Sequence, residues 1–171
     1  DALMYKIDRQ LACDAVNTHM TDIVDNKIPL MDYKMSKSRR KDYVNEDLPH
    51  LAVVRKMKAR NPGSEPQIGD RVPYILIETM NLKAKTFEKA EDPKFIVENN
   101  LKVDRLYYVE HQIVKPICSL LDLVVDKPEN LFVDHLRKLR RQREGQSNIF
   151  GFLQKAEPED KKFVAIKPIS S

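Results

Sequence analysis

The chain has 171 residues, 42% of them apolar and 33% charged, with a formal net charge of +4. That length suits one domain, or a compact domain with a tail, and the apolar content excludes a wholly disordered chain. The charge is too mild to demand a nucleic-acid partner, and the two distant cysteines, Cys13 and Cys118, exclude a zinc or iron–sulfur module and point to a reducing compartment.

In chain order, Asp8 is the expected N-cap of a helix reaching about Asp25, with Ala12, Val16, Met20, Ile23 and Val24 on one apolar face. Asn26 to Pro29 breaks it, and residues 30–47 are polar, basic and read as extended or irregular. Asp47 followed by Leu48-Pro49 reads as the start of a helix to about Arg60 that buries Leu51, Val54 and Met57. Asn61 to Gly69 is a turn-rich loop, and Val72 to Glu78 is a strand that is apolar on both faces. Pro73 sits near the start of that strand, where a missing N–H costs least. Lys83 to Phe87 is its expected partner strand. Glu91-Asp92-Pro93 opens a helical turn to about Glu98. Asp104 caps the longest apolar helix, carrying Leu106, Ile113, Ile117, Leu120, Leu121 and Leu123, and Pro116 should kink it. A last helix from about Pro128 to Glu144 buries Leu131, Phe132, Leu136 and Leu139, ends in a dense basic run, and should stop at Gly145. The fold expected is α+β, mainly helical, with a small sheet. Residues 1–144 form the domain and 145–171 a polar, mobile tail. No apolar run approaches ~18 residues, and no signal peptide opens the chain. It begins at Asp1 without an initiator Met, so it reads as a piece of something longer.

Chemistry concentrates in a few places. Lys34, Lys37, Arg39, Arg40 and Lys41 are interleaved with Ser36 and Ser38. Cations give affinity for a row of phosphates, while hydroxyls and backbone N–H groups set register. The competing reading is a solvated charge run. At Gly69-Asp70-Arg71 the glycine permits close backbone approach and the arginine can fork onto a phosphate; the plainer reading is a turn with an Asp–Arg ion pair. Tyr107 and Tyr108 could stack on bases, but helical spacing beside Leu106 and Ile113 places them in the core. His19, His50, His111 and His135 have no ligand spacing, so no metal site is expected. Cys13 and Cys118 read as buried small hydrophobes.

The stretch Asn61-Pro62-Gly63-Ser64 leading through Gly69-Asp70-Arg71-Val72-Pro73-Tyr74 into a buried strand resembles the thumb of family B DNA polymerases, closest to the delta type. The likeness continues in order through Glu91-Asp92-Pro93, Glu98-Asn99-Asn100, Asp104, Tyr107-Tyr108-Val109-Glu110-His111-Gln112 and Lys115-Pro116, with His111 where the family has Asn. Lys34, Asp42-Tyr43, Pro49-His50 and Lys56-Met57 also fall at family-like spacing, so the resemblance covers roughly residues 28–125. It implies a DNA-directed DNA polymerase thumb, whose partners are primer–template DNA and the palm and fingers of a longer parent. It implies Lys34, Ser36, Lys37, Arg39, Arg40, Tyr43 and Arg71 as duplex-contacting residues. Residues 146–153, with Gln146, Ile149, Phe152 and Leu153 at box spacing, resemble a sliding-clamp (PCNA-type) binding box, and Leu153 departs from the usual second aromatic. A single 3₁₀ turn would gather these apolar side chains into a plug that folds on binding.

Polymerase chemistry needs two metal ions held by palm carboxylates. The family's Tyr-Gly-Asp-Thr-Asp, Asp-x-x-Ser-Leu-Tyr-Pro and Lys-x-x-x-Asn-Ser-x-Tyr-Gly motifs do not occur in these 171 residues, and neither do its exonuclease carboxylates or cysteine-rich modules. The segment is therefore expected to be inactive alone, to carry no catalytic residue, metal or cofactor of its own, and to rely on Mg²⁺ in the parent's palm. The missing cysteines favour a viral or divergent enzyme, acting inside the cell where DNA is replicated. From another class, a stand-alone DNA-binding or clamp-adaptor protein fits the same residues.

Overall fold

A computed structural model describes residues 2–155, with side chains described through Glu144 apart from several at the start of the first helix. The order is α1 (Ala2–Val24), a 3₁₀ turn (Leu30–Tyr33), β1 (Met35–Ser38), α2 (Pro49–Arg60), β2 (Arg71–Leu76), α3 (Thr86–Lys89) and β3 (Ala90–Glu91). Then come α4 (Pro93–Glu98), α5 (Arg105–Tyr108), a π-helical turn (Val109–Ile113), α6 (Val114–Leu121) and α7 (Asn130–Lys155). The described residues are mainly helical with a three-stranded antiparallel sheet, the mainly helical α+β class expected.

β2 is the central strand, paired with β1 through Met35↔Tyr74 to Ser38↔Arg71 and with β3 through Ile75↔Glu91 and Leu76↔Ala90. Val72, Ile75 and Leu76 are fully buried, which is why both faces of the strand read as apolar. They pack with Val53 and Val54 of α2, Ile96 of α4, and the two tyrosines Tyr33 and Tyr108. Each such aliphatic side chain contributes about 1.5–3 kcal/mol. A second core joins Met20, Ile23 and Val24 of α1 to Val109, Cys118, Phe132 and Leu139, and Ile28 borders both. Arg105 ties α1 to the later helices. Its guanidinium donates to the Ile23 carbonyl at 3.0 Å, the Val24 carbonyl at 2.7 Å and the Gln142 amide oxygen at 3.3 Å. Carbonyls that end a helix lack partners of their own, and a cation there satisfies them.

The sequence reading needs correction at several points. Lys83–Phe87 is no strand. Asn81 turns the chain by accepting from the Lys83 and Ala84 N–H groups, and Glu88 accepts from the Lys85 N–H to start α3. The partners of β2 are instead β3 and the basic segment β1, which lies inside the stretch read as irregular. The helix after Asp104 is not continuous. The Val114 N–H bonds the Val109 carbonyl, a π turn that ends before Pro116, the residue without a donor for the preceding turn. α1 starts at Ala2 rather than Asp8 because residues 2–7 are mostly good helix formers. Leu48, not Asp47, is the N-cap of α2, and Val53 is its most buried residue. Cys118 is buried, but Cys13 is only half-buried.

Gly145 does not stop the last helix. α7 runs on to Lys155 and carries the backbone of Gln146, Ile149, Phe152 and Leu153 in α-helix rather than in a 3₁₀ turn. A helical glycine costs about 1 kcal/mol, which the surrounding glutamines, arginines and glutamate offset. The side chains of that box, and residues 156–171 of the tail, lie outside the described ones.

Candidate nucleic-acid interface

The basic segment is held by backbone. Past the end of β1 the ladder continues: the Arg39 N–H donates to the Asp70 carbonyl and the Gly69 N–H to the Arg39 carbonyl, both at 2.8 Å. Gly69 adopts φ +98°, the left-handed region that favours glycine, so the loop can return into β2 at this register. The Asp70 carboxylate accepts from the Gln67 N–H at 2.8 Å, which closes the loop upon itself. It is spent there rather than on Arg71.

Along β1, Ser36 and Ser38 face outward opposite Pro73 and Arg71. Arg71 lies across the strand, its Nε donating to Ser36 Oγ at 3.0 Å and Nη2 to the Ser36 carbonyl at 3.2 Å. Arg39 is half-buried and donates to the Pro66 carbonyl, bracing the loop of residues 61–69. The Tyr43 hydroxyl donates to the Ser38 carbonyl at 2.8 Å and lies 2.9 Å from His50 Nε2. Burial, and then the nearby Lys37 charge, hold the His50 imidazole below its ordinary pKa. Lys34, Lys37, Arg40 and Lys41 are exposed, and among the described residues their side chains have no ion pair or hydrogen bond.

The structure thus gathers the sequence candidates on and around β1 and divides them. Lys34, Lys37 and Arg40 point free charge at solvent, whereas Ser36, Arg39, Tyr43 and Arg71 are engaged in holding the face together. Arg55 joins it from α2. It lines a cleft of about 230 Å³ with Arg39, Arg40, Lys41, Tyr43 and Glu46, and it donates to the Glu46 carbonyl at 3.1 Å. No local pattern in the sequence shows that the exposed Arg55 of α2 looks onto the basic loop. Chemically, the face offers mobile cations on a fixed ladder, which suits a regular row of phosphates of any sequence.

Several other cations are spent inside the molecule. Lys56 donates to the Glu88 and Ala90 carbonyls, and Arg60 pairs with the buried Glu91 carboxylate at 2.7 Å while its guanidinium covers the Phe95 ring. Lys89 donates to the fully buried Asp104 at 2.9 Å, and Arg143 approaches the other Asp104 oxygen at 3.4 Å. Asp104 also accepts from the Tyr107 N–H, capping α5. Tyr108 belongs to the core, as its spacing suggested. Its hydroxyl accepts from the Leu76 N–H at 3.0 Å and donates to the Tyr33 carbonyl at 2.8 Å, and burial pushes its pKa up to about 12. Tyr107 stacks on His111 with ring centroids 4.3 Å apart, and no base is needed to account for it. Among the described residues no group of acidic, histidine or cysteine side chains converges as metal ligands.

A family model described as DNA polymerase family B matches residues 5–124. Over 136 residues, 79% of this chain and 15% of the relative, the sequence is 40% identical to a DNA polymerase of Paramecium bursaria Chlorella virus NY2A. It is 31% identical over 137 residues to a DNA polymerase delta catalytic subunit of Caenorhabditis elegans, covering 78% of this chain and 13% of that protein. With a DNA polymerase of Acanthamoeba polyphaga mimivirus it shares 30% identity over 132 residues, 74% of this chain and 8% of the relative. The chain spans no more than 15% of the length of these relatives. Matched over most of its length by that family model, the chain belongs to DNA polymerase family B.

Proposed function

We propose that the chain is the thumb segment of a delta-like, DNA-directed DNA polymerase that grips primer–template duplex by its phosphate backbone and minor groove, independent of sequence. The observation that carries this reading is the set of exposed cations Lys34, Lys37 and Arg40, without a partner among the described residues, on and beside a strand whose register is fixed by β2. Family membership and the delta-type names among the relatives support it over a stand-alone adaptor. Nucleotide transfer belongs to the parent's palm, with its Mg²⁺, at the site of replication in a nucleus or viral replication compartment. The thumb's part is to hold the primer end there. Gln146, Ile149, Phe152 and Leu153 form a clamp-binding box that tethers the enzyme to a sliding clamp. Its helical backbone would have to rearrange into a 3₁₀ turn on binding.

The test is duplex binding by the chain across a salt series. Non-specific binding of this kind falls near Kd values of about 10⁻⁴–10⁻⁶ M and weakens linearly in log salt. Replacing Lys34, Lys37 and Arg40 together by Ala should flatten the slope by roughly one unit for each phosphate that is no longer neutralised. An unchanged slope would place the duplex on another face. For the box, a peptide of residues 143–156 should bind the cognate clamp at about micromolar strength, and Phe152→Ala should cost about 2 kcal/mol. Absence of binding heat well above that concentration would remove the tether from the reading.

A further inference from the structure

We propose that Tyr43 and His50 form a pin that positions the basic loop, and that Tyr43 does not itself contact DNA. The proposal rests on reading this face as the duplex-binding one. A tyrosine hydroxyl has one proton to give and two lone pairs. Here the proton goes to the Ser38 carbonyl at 2.8 Å. One lone pair takes the Arg40 N–H at 3.3 Å. The remaining neighbour is His50 Nε2 at 2.9 Å, so the imidazole is the donor, with its proton on Nε2. The hydroxyl is then saturated and has no proton left for a phosphate oxygen. His50 is 5% exposed and meets the Tyr43 ring edge-on with centroids 5.3 Å apart, so the anchor end of the pin is fixed in α2. Among the described residues the other hydrogen bond of residues 40–45, Asn45 Oδ1 accepting from the Asp47 N–H at 2.8 Å, stays within the loop, which α2 holds again only at Glu46, whose carbonyl accepts from Arg55 at 3.1 Å. Without the pin, Arg40 and Lys41 sit on a free loop, and a phosphate must order them as it binds.

Two measurements on the whole chain decide this. The first needs no DNA: hydrogen exchange of the Arg40 amide, which donates to the Tyr43 hydroxyl, in Tyr43→Phe and His50→Leu. Exchange at least tenfold faster in both supports the pin, and wild-type rates in either overturn it. If His50→Leu does not fold, Tyr43→Phe carries this arm alone. The second is duplex affinity across salt. A neutral hydroxyl on phosphate releases no counterion, so removing a hydroxyl that touched DNA directly would weaken binding at unchanged slope. Removing a pin misplaces cations and lowers the slope. Each single variant should weaken binding by roughly fivefold with a shallower slope. The double variant should be no weaker than either, and His50→Gln, which keeps a donor, should restore most of the affinity. Multiplicative single effects, or a loss confined to Tyr43→Phe at full slope, would make Tyr43 a direct DNA ligand and sink the proposal. If K34A/K37A/R40A also binds as wild type, the duplex reading of the face has failed, and the exchange rates still judge the pin by themselves.

Discussion

The sheet side and the helical side of this molecule each carry a basic run, yet they use most of its cations differently. On the sheet side Lys34, Lys37 and Arg40, on and beside the paired strand β1, have no partner among the described residues. On the helical side the run Arg137, Lys138, Arg140, Arg141 and Arg143 is at least as dense. There Arg137 meets Asp134 at 2.7 Å, Arg140 meets Glu110 at 2.6 Å and Arg143 reaches the buried Asp104, while Lys138 and Arg141 are exposed and have no partner among the described residues. The difference shows that cation density does not locate a nucleic-acid face. What matters is whether each cation already has a partner, and only the fold decides that.

The strongest way to break the comparison is through Asp104. Two cations converge on this fully buried carboxylate, which also caps α5. Asp104→Ala would leave Lys89 and Arg143 buried and uncompensated, and removing one partner of such a set costs about 3–5 kcal/mol. Chemical denaturation should show that loss, while the fraction that remains folded keeps the wild-type salt slope for duplex. A loss below about 1 kcal/mol, the range of an exposed pair, would mean the helical side's ion pairs are ornaments of the surface. Next in size is Tyr108→Phe. It strips the Leu76 N–H and the Tyr33 carbonyl of their shared partner in the first core, which costs about 1–3 kcal/mol. Stability measured by the same denaturation should fall by that amount, again with no change in salt slope. The free cations give the converse. The triple change of Lys34, Lys37 and Arg40 to Ala should leave stability within about 0.5 kcal/mol and change only the binding. A large drop in melting temperature would show that these side chains hold structure after all.

The amphipathic signals were legible in sequence. α2, the central strand, the helical turn opened by Glu91-Asp92-Pro93, Asp104 as a cap, and Tyr108 in the core follow from period, cap chemistry and spacing. The basic segment was legible as a candidate, and the family resemblance around it implied duplex DNA as what it would contact. The misses have a common cause. β1 is short, charged and alternates with serine, so nothing in its own residues marks it as a strand. It is one because β2 offers it an edge. β3 has only two residues and owes its pairing to α3 and α4 on either side. Arg105 on the carbonyls of α1 joins residues 81 and 82 positions apart, and Lys89 to Asp104 is a pairing no local pattern announces. Gly145 was a reasonable stop signal, but neighbours that favour helix on both sides overrode it.

The smallest effect separates the two regions by titration. His50 on the sheet side and His135 on the helical side are both held below the ordinary histidine pKa of 6.5, first by burial and then by one lysine each, Lys37 and Lys138. Asp134 opposes the shift at His135. In both cases the unfolded chain binds the proton more readily than the folded one. Stability is therefore full above 6.5 and declines as pH falls from there towards the folded value, below which it levels off. Lys37→Ala should remove the second cause at His50, move that imidazole up towards 6.5, and shrink the acid-side loss. His135 should stay where it is. Lys138→Ala should do the reverse. Histidine ring shifts followed by NMR from pH ~5 to ~8 would read both midpoints. A His50 midpoint that ignores Lys37→Ala would mean that Lys37 lies turned away from α2 with its charge wholly in solvent. That would strengthen its case as a free phosphate ligand and weaken the picture of a basic face packed close against its own scaffold.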